Sequence, residues 1–558
     1  MNKIFTLTLA AVVSFGMVSC VKDYTARNTN QEQANEEMMD HDNMRTGSFV
    51  SQMMANVLPS YQNDGSNEYG SASSQVVQGL TGNIFANYEA ASNAGFHQTN
   101  EYNLVADGWT KALFEDAYVR AMAPWAKLNA LRPSSPYEAA LGDILKVAVL
   151  HRVTDAYGPI PYSLLGTGVN HIAYDRQEEV YRAMFADLDK AMETLGQLVD
   201  GGTTTYLADY DNVFYGDMTK WMAFANTLRL RLATRVAYAD EALYQAEAEK
   251  AVASAAGFIR EDVLLHPGAG AWENPIYVIE YNFNDGDAKA GATIVTYMNS
   301  YNDPRRASYF TIGSDGNYYG VRMGATVDSN YPKATLWSRV NCTNNDPLKW
   351  MSGAEADFLL AEYYLREGDE AAAKSFYEAG VKRSFTIAGA SGAEAYLRGT
   401  DGVGSYTDPV TGGNSYGNNL TSVAVSWGSQ SSTEGHLEQI ITQKYIAMFP
   451  EGMEAWAEFR RTGYPRVIPT ANNNSGGTID TQKQIRRLVY PTSEYSANNA
   501  NVKEGVSLLV NEAADAASVK EDNGGTKVWN ARLFDFFWFL IRFVAPIGVA
   551  VLFISNLL

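Results

Sequence analysis

The chain has 558 residues, of which 46% are hydrophobic, and its formal net charge is −20. Nucleic-acid binding needs clustered Lys and Arg opposite the phosphates, so this acidic balance argues against a nucleic-acid partner. The only two cysteines, Cys20 and Cys342, cannot supply a disulfide framework, and stability must come from the large core that this length allows. The 34 Tyr, 23 Phe and 10 Trp are typical of a surface that stacks on neutral polar ligands.

Residues 1–19 have the pattern of an export signal. Lys3 supplies a basic start, residues 7–15 form a short apolar run, and Ser19 is a small residue directly before Cys20. The run is too short for a spanning helix, which favours a cleaved secretory signal. A cysteine at the cleavage position resembles a bacterial lipobox, so we expect Cys20 to become the acylated first residue of the mature chain. The alternative is an ordinary signal peptide with an incidental cysteine.

Three apolar stripes follow between residues 141 and 232. Their apolar residues recur every three or four positions, which predicts helices with a buried face. The stripes are Leu141, Ile144, Leu145, Ala148 and Val149; Val180, Met184, Leu188, Ala191 and Leu195; and Trp221, Phe224, Ala225, Leu228 and Leu232.

Residues 265–350 and 387–433 show no such period. Gly, Pro, Asn and Asp recur in both at short intervals. Irregular stretches of this length are uncommon in compact proteins unless they carry function. We therefore expect these regions to contribute to a ligand site.

Between them, residues 354–384 are predicted to form a helical hairpin. Leu360 and Tyr364 lie before Gly368, and Phe376 lies after it among small residues. Two helices joined at a glycine, with small residues at the crossing, resemble a tetratricopeptide hairpin. One such hairpin cannot stack alone, so the other stripes are expected to supply its neighbours.

The segment 441–469 combines aromatic residues, prolines and two adjacent arginines. Pro450-Glu451-Gly452 predicts a turn, followed by a short helix that ends at Thr462-Gly463. Arg460 and Arg461 can meet the exposed carbonyls at this helix end and pair on the surface with Glu454 and Glu458. The alternative, an anion site, would need a helix start, so we interpret the segment as architecture.

Catalytic motifs are missing from the sequence. The Gly-x-Ser-x-Gly, His-Glu-x-x-His and P-loop patterns do not occur, and the six histidines are scattered. Acidic residues are numerous, but the sequence marks no pair as a glycosidase pair. We therefore predict that the protein is not an enzyme.

The C-terminal segment 531–558 is apolar and long enough to span a bilayer. It is similar to the last span of a sodium-coupled symporter. Two interpretations stay open: a gene-fusion or frame accident, or a second membrane anchor. The predicted organisation is a signal peptide at 1–19, a binding domain at 20–530 and this tail at 531–558.

The order of several stretches resembles the SusD/RagB family of Bacteroidetes outer-membrane lipoproteins, over about residues 20–529. Its nutrient-binding SusD-like branch is the most similar. The stretches that carry the resemblance are HRVTDAYGPIPYS (151–163), YDRQEEVYRAMFADLDKA (174–191), VFYGDMTKWMAFANTLRLRLATRV (213–236), the hairpin at 354–384, QKYIAMFPEGMEAWAEFRRTGYP (443–465), RRLVYP (486–491) and GGTKVW (524–529).

The resemblance implies a mostly α fold with little β structure. Four tetratricopeptide-like helix pairs would form a scaffold for long irregular loops that face the ligand. It also implies a TonB-dependent SusC-like outer-membrane barrel as partner, a glycan or oligosaccharide as ligand, and a cell-surface location with a lipid anchor at Cys20. No cofactor is expected, and a structural calcium ion stays an open possibility.

In this family the ligand-facing loops precede the first long helices and recur in the middle of the chain, here 61–108 and 265–350. Aromatic rings can cover the apolar face of a sugar, while amides and imidazoles bind its hydroxyls. The candidate ligand-binding residues are Tyr69, Tyr88, His97, Asn100, Trp272, Asn274, Tyr318 and Trp337. The expected function is capture of a nutrient glycan for the barrel; the alternatives are a surface glycan hydrolase and a protein-interaction scaffold that binds no glycan.

Overall fold

The computed structural model describes residues 41–59, 61–62, 74–104, 108–268, 272–282, 287–509 and 528–531. The predicted signal peptide, Cys20, Tyr69 and the apolar tail from residue 532 onward lie outside the described residues. Among those described, no helix is long and apolar enough to cross a membrane. Contacts divide the chain into residues 1–48 and 49–558. In the first unit the described residues form the turn His41–Asn43 and the start of a helix, and the features below belong to the second unit.

Helices make up most of the described structure, as the sequence predicts. The long helices are α1 (Met44–Met54), α2 (Ala123–Ala130), α3 (Pro136–Tyr157), α4 (Gln177–Asp200), α5 (Met218–Val236), α6 (Glu241–Ala253), α7 (Ala292–Ser300), α8 (Glu355–Arg366), α9 (Glu370–Ile387), α10 (Thr433–Met448), α11 (Gly452–Thr462) and α12 (Asn499–Ser507). Shorter helices lie at His97–Asn100, Ala112–Asp116, Pro275–Tyr277, Arg306–Tyr309, Ala393–Tyr396 and Thr492–Ala497, and π-helical turns lie at Gln75–Asn83, Ala117–Met122 and Val278–Asn282.

The three apolar stripes are confirmed as core. Every member of the stripes in α3, α4 and α5 is buried. Burial of helix α3 extends beyond its apolar stripe, because all of its residues from Glu138 to Tyr157 are buried. It packs against α2, α4 and α11. A helix surrounded in this way has no solvent face, so its polar side chains have to find partners inside the protein.

Consecutive helices pack as pairs, which confirms the tetratricopeptide-like scaffold. Helix α3 packs on α4, α5 on α6, and α8 on α9. The predicted turn between α8 and α9 contains Gly368 at φ 80°, a left-handed conformation that glycine adopts without steric cost. Asp369 then caps α9, since its carboxylate accepts a hydrogen bond from the backbone amide of Ala372.

The regions 265–350 and 387–433 are largely irregular, as predicted, but the first contains a helix that was not predicted. Helix α7 lies inside 265–350, where the sequence shows no long helical period. All its residues from Ala292 to Met298 are buried, so it has no polar face to create the alternation that predicts a helix. Strand content is small: β1 (Tyr61–Gln62) pairs with β4 (Trp272–Glu273), β2 (Glu89–Ala91) with β5 (Ala288–Ala290), and β3 (Val263–Leu265) with β6 (Leu348–Met351), all antiparallel.

The position of the charges on α11 corrects a prediction. We expected Glu454, Glu458, Arg460 and Arg461 on the surface, but none of them is more than 2% exposed. Arg461 does pair with Glu458, at 2.7 Å, and it also makes two bonds of 2.7 Å to Glu362 on α8. The sequence shows that charges on one helix can pair, but it does not show that other helices will surround them.

Arg460 donates to the backbone carbonyl oxygens of Asp155 and Arg486, whereas the other three charges belong to a buried ionic network that joins several helices. From α5, Arg231 donates to Glu355 of α8 and lies 3.1 Å from Glu451 in the turn before α11. Lys444 of α10 lies 3.4 Å from both Glu355 and Glu458. Each charge has an opposite charge within reach, which is the condition for burying it at tolerable cost.

Candidate ligand-binding face

The two loop regions predicted to face a ligand meet in the structure. Strands β1 and β2 come from 61–108, β4 and β5 come from 265–350, and the two antiparallel ladders join them. A third segment crosses at Gly320, where an added Cβ would lie 2.4 Å from the carbonyl oxygen of Gly291. Only glycine permits this approach of the two backbones. The loops therefore form a connected layer.

Asn274 fixes the first part of this layer. Its side-chain oxygen accepts hydrogen bonds from the backbone amides of Ile276 and Tyr277, which caps the short helix Pro275–Tyr277. Its side-chain amide donates to the carbonyl oxygen of Asp346 at 3.0 Å, and the indole nitrogen of Trp272 donates to the same oxygen at 3.2 Å. Both residues are thus held on the segment that leads into β6.

Tyr277 and Tyr281 continue from that helix. Their rings stack with centroids 5.0 Å apart and planes at 27°. The Tyr281 hydroxyl donates to the carbonyl oxygen of Val340 at 2.7 Å, and the guanidinium of Arg339 lies 5.4 Å from the Tyr281 ring centroid. This geometry is that of a cation–π contact and orients both groups.

Tyr319 pairs with the same stretch of chain through its backbone, and Tyr318 precedes it. The backbone amide of Ser338 donates to the carbonyl oxygen of Tyr319 at 2.9 Å. Arg306 lies 5.2 Å from the Tyr318 ring centroid, and its guanidinium donates to Asn299 at 2.7 Å. The Tyr319 hydroxyl donates to the exposed carboxylate of Asp315 at 3.1 Å.

Residues 338–346 therefore contact three half-buried aromatic residues, Trp272, Tyr281 and Tyr319. Tyr277 stacks on Tyr281, and Tyr318 directly precedes Tyr319 in the chain. We call these five half-buried residues the aromatic face. Its members are Trp272, Tyr277, Tyr281, Tyr318 and Tyr319. Half-buried rings keep a surface open to solvent while hydrogen bonds and packing fix their orientation. Arginine, asparagine and aspartate side chains lie around them as hydrogen-bonding groups. This arrangement suits a ligand with apolar C–H faces and hydroxyl edges.

The structure places the predicted site residues differently. Trp272 and Tyr318 are half-buried members of the aromatic face, whereas four others are at most 4% exposed. His97 lies in the short helix His97–Asn100, with its side chain outside the described atoms, and Tyr69 lies outside the described residues. The four buried residues are Tyr88, Asn100, Asn274 and Trp337.

Each buried residue has a structural partner. Tyr88 donates to the carbonyl oxygen of Tyr445 and stacks on that ring at 4.5 Å. Asn100 accepts a hydrogen bond from the backbone amide of Ala91 in β2. Trp337 donates to the carbonyl oxygen of Tyr331 at 2.7 Å. These side chains support the loop layer and present little surface to a solute.

Tyr277 and Tyr281 belong to the face and Arg339 lies against the Tyr281 ring, yet the sequence prediction included none of the three. Tyr277 and Tyr281 are four positions apart in NPIYVIEYN, a spacing that places both rings on one side of a helical turn. This spacing is a local signal that the sequence contains. The contribution of Arg339 depends on the pairing of remote segments, so no local pattern indicates it.

Two carboxyl groups lie within this layer. Glu280 is 0% exposed and Glu89 of β2 is 2% exposed. Burial, with the neighbouring Glu89 carboxyl, raises the pKa of Glu280 well above its ordinary value. The thiol of Cys342 is half-buried nearby, and burial raises its pKa too. A protonated Glu280 can remain there without a cation to balance it.

Two further features of the described residues bear on chemistry. No group of three His, Cys, Asp or Glu side chains in this part of the chain is placed to hold a metal ion. A groove with a volume of about 510 Å³ lies apart from the aromatic face, between the turn before α5 and the segment 258–266.

Paired helices form a scaffold, and the loops on it form a face that suits a binding protein. Comparison with known proteins supports this class. The family model described as "Susd and RagB outer membrane lipoprotein" matches residues 26–531. The chain belongs to this SusD-like family, whose members are outer-membrane lipoproteins that bind glycans in nutrient uptake and are not hydrolases. No curated protein sequence matches the chain.

Several solved structures are similar over most of their length. A SusD homologue from Bacteroides uniformis has 37% identity and a TM-score of 0.79, with 88% of this chain and 99% of that chain covered. A chitin-binding SusD homologue from Flavobacterium johnsoniae has 35% identity and a TM-score of 0.79, with 87% and 98% covered. A homologue from Bacteroides vulgatus has 31% identity and a TM-score of 0.79, with 87% and 97% covered.

Proposed function

We propose that this protein is a cell-surface lipoprotein, anchored through Cys20, that captures a glycan on the aromatic face. It then delivers the glycan to a TonB-dependent SusC-like barrel, which supplies the energy for uptake. The observation that carries the proposal is the set of five half-buried aromatic residues, three of which contact residues 338–346 directly. No bond of the ligand is made or broken.

The chemistry of the face supports a sugar ligand. Tyrosine and tryptophan rings can cover the apolar C–H faces of pyranose rings, and their polar groups remain available for hydrogen bonds. Asp315 and Asn317 are exposed beside Tyr319 and can exchange hydrogen bonds with hydroxyls. A similar protein, the Flavobacterium johnsoniae homologue, binds chitin, so chitin oligosaccharides are the first ligands to test.

The buried acid pair supports binding over hydrolysis. A glycosidase places two carboxyl groups on either side of the scissile bond, where the substrate can reach them. Glu89 and Glu280 are both closed to solvent. They can hold the two loop regions together, and the pocket that Glu89 lines has a volume of only about 30 Å³, which is too small for a sugar ring.

The proposal is tested with a panel of chitin, starch, xylan, mannan and pectin oligosaccharides. The mature chain is titrated by calorimetry beside the double variant Trp272→Ala/Tyr281→Ala. We expect the variant to bind at least about 10-fold more weakly, because about 1.4 kcal/mol is a factor of ten and two stacking rings are lost. Tyr238→Ala, at a tyrosine 38% exposed at the end of α5, is the matched control and should bind as the wild type does.

Three results would count against the proposal. Equal affinity of the double variant and the wild type would remove the aromatic face from the function. Shortened oligosaccharides after incubation, detected by chromatography, would establish the hydrolase alternative. Recovery of protein partners from native membranes without retention of any glycan would favour the interaction scaffold.

A further inference from the structure

The groove beside α5 is a cavity that the aromatic face does not use. The turn 213–215 forms one wall, and Phe258, His266 and the residues between them form the other. Its volume of about 510 Å³ lies within the range of small-molecule sites. Phe258 and Tyr215 supply apolar surface, and polar side chains lie along the rest.

A single buried carboxylate holds the turn in place. Asp211 is 1% exposed and accepts hydrogen bonds from the backbone amides of Val213, Phe214 and Gly216, at 2.8 to 3.0 Å. It also accepts one from the indole nitrogen of Trp221 at 2.7 Å. Four donors to one carboxylate fix the backbone of the turn firmly to α5.

Tyr215 in this turn has an unusual backbone conformation. The residue has φ 54°, in the left-handed region that side chains other than Asn, Asp and Gly seldom adopt. Its side chain is 58% exposed, so burial of the ring in the core does not offset the strain. A strained backbone that holds an exposed ring at the edge of a cavity indicates a functional position.

The imidazole of His266 lies beside that ring. The two ring centroids are 5.5 Å apart with the planes at 40°. The backbone amide of His266 donates to the carbonyl oxygen of Asn212 at 2.9 Å, so both rings are fixed to the same turn. Burial lowers the pKa of His266, which keeps the imidazole neutral near pH 7 and able both to donate and to accept a hydrogen bond.

The charged groups of the groove are already paired. Lys220 lies 3.7 Å from Glu261 at the rim. Asp262 lies 2.7 Å from Lys349 and accepts a hydrogen bond from the backbone amide of Gly353. Arg260 pairs with Asp357 of α8. Because each charge has an opposite partner, the groove offers no single excess charge to attract an ion, which favours an uncharged solute.

We propose that this groove is a second binding site for an uncharged saccharide, with Tyr215 as the stacking ring and His266 as a hydrogen-bonding group. The ligand class rests on the proposed function, but the site itself is independent of the aromatic face. The two sites flank one stretch of chain, since Asp346 holds Trp272 and Lys349 holds Asp262 three residues later. A glycan chain bound at both would be retained more strongly than at either alone.

The test uses Tyr215→Gly in the full mature chain. Glycine adopts φ 54° without strain, so this variant removes the ring and should fold at least as stably as the wild type. Thermal unfolding verifies the fold. His266→Ala is the second variant, and Tyr238→Ala is the matched control outside the groove. The probes are the oligosaccharides and polysaccharides of the panel above, in calorimetry and in affinity gels.

We expect Tyr215→Gly to bind its glycan about 5-fold more weakly, with the stoichiometry for short oligosaccharides reduced from two to one. Unchanged affinity and stoichiometry in Tyr215→Gly would overturn the inference. If the double variant of the aromatic face loses binding while Tyr215→Gly does not, the groove inference fails and the proposed function stands. If the wild type retains no member of the panel, both fail.

Discussion

At the scale of single residues, Glu280 is a side chain of the loop layer whose pKa is strongly raised. It lies between the face residues Tyr277 and Tyr281 along the chain, yet it is fully buried. Burial is the largest cause of its raised pKa, the Glu89 carboxyl adds to it, and Lys289 and Arg339 oppose it. The folded protein therefore holds a proton there that the unfolded chain releases near the ordinary glutamate pKa.

This raised pKa has a consequence for stability. Below the ordinary pKa both states carry the proton, and the full stability is present. Between the ordinary and the raised pKa only the folded state keeps it, so the free energy of unfolding falls as the pH rises. Glu280→Gln keeps the size and removes the titration, and we expect this fall to be smaller in the variant. Urea unfolding at several pH values from 5 to 9 measures it, and parallel curves for the two proteins would contradict the assignment.

Residue types predicted the loop regions that meet in the structure, but not which of their side chains keep a surface open to solvent. Trp272 and Tyr88 satisfy the same criterion, an aromatic residue in a loop region, yet Trp272 keeps an open surface and Tyr88 is enclosed by Tyr445 and Phe449. Exposure of a loop residue depends on which remote segment covers it. A single sequence contains no such information, so the regions could be predicted and the individual contacts could not.

At the scale of elements, the long helices and the turn at Gly368 could be predicted from the sequence, because each depends on a local pattern of residues. The ionic network between the helices could not be predicted in this way. Arg461 connects α11 to α8 with four hydrogen bonds to Glu362 and Glu458, and it is 0% exposed. The residues it joins are about a hundred positions apart, so their pairing follows from the packing of whole helices.

Removing that arginine should be costly. In Arg461→Ala two buried carboxylates lose their main partner, and we expect the free energy of unfolding to fall by about 3–5 kcal/mol. Arg182→Ala is the matched control, because Arg182 also contacts two carboxylates, Glu178 and Asp240, but is 50% exposed. Its loss should cost at most about 1 kcal/mol. Chemical denaturation measures the free energy of unfolding of both variants. An equal decrease in the two would mean that the buried network stabilises the protein no more than a surface ion pair does.

At the scale of the whole molecule, the helical scaffold provides stability and the loop layer provides the candidate binding residues. Paired helices bury the apolar stripes and the charge network, which leaves the loops free to differ in sequence without loss of the frame. The solved relatives at 31% and 37% identity share the fold at a TM-score of 0.79. A shared fold does not fix the ligand, so membership of the family does not by itself name the sugar.

The proposed capture for uptake also requires that the binding surface is held at the cell exterior, and this requirement can be tested separately from binding. Cys20→Ser removes the proposed acylation site, and Cys20 is not one of the residues that define the aromatic face. We expect the purified variant to bind glycan with the wild-type affinity, because binding depends on the loop layer. Cells that carry it should lose fatty-acid labelling of the protein and surface retention of the glycan, since the chain is no longer held in the outer membrane. Fatty-acid labelling that persists in Cys20→Ser would place the anchor elsewhere, and glycan retention by cells without labelling would show that capture does not depend on a lipid tether.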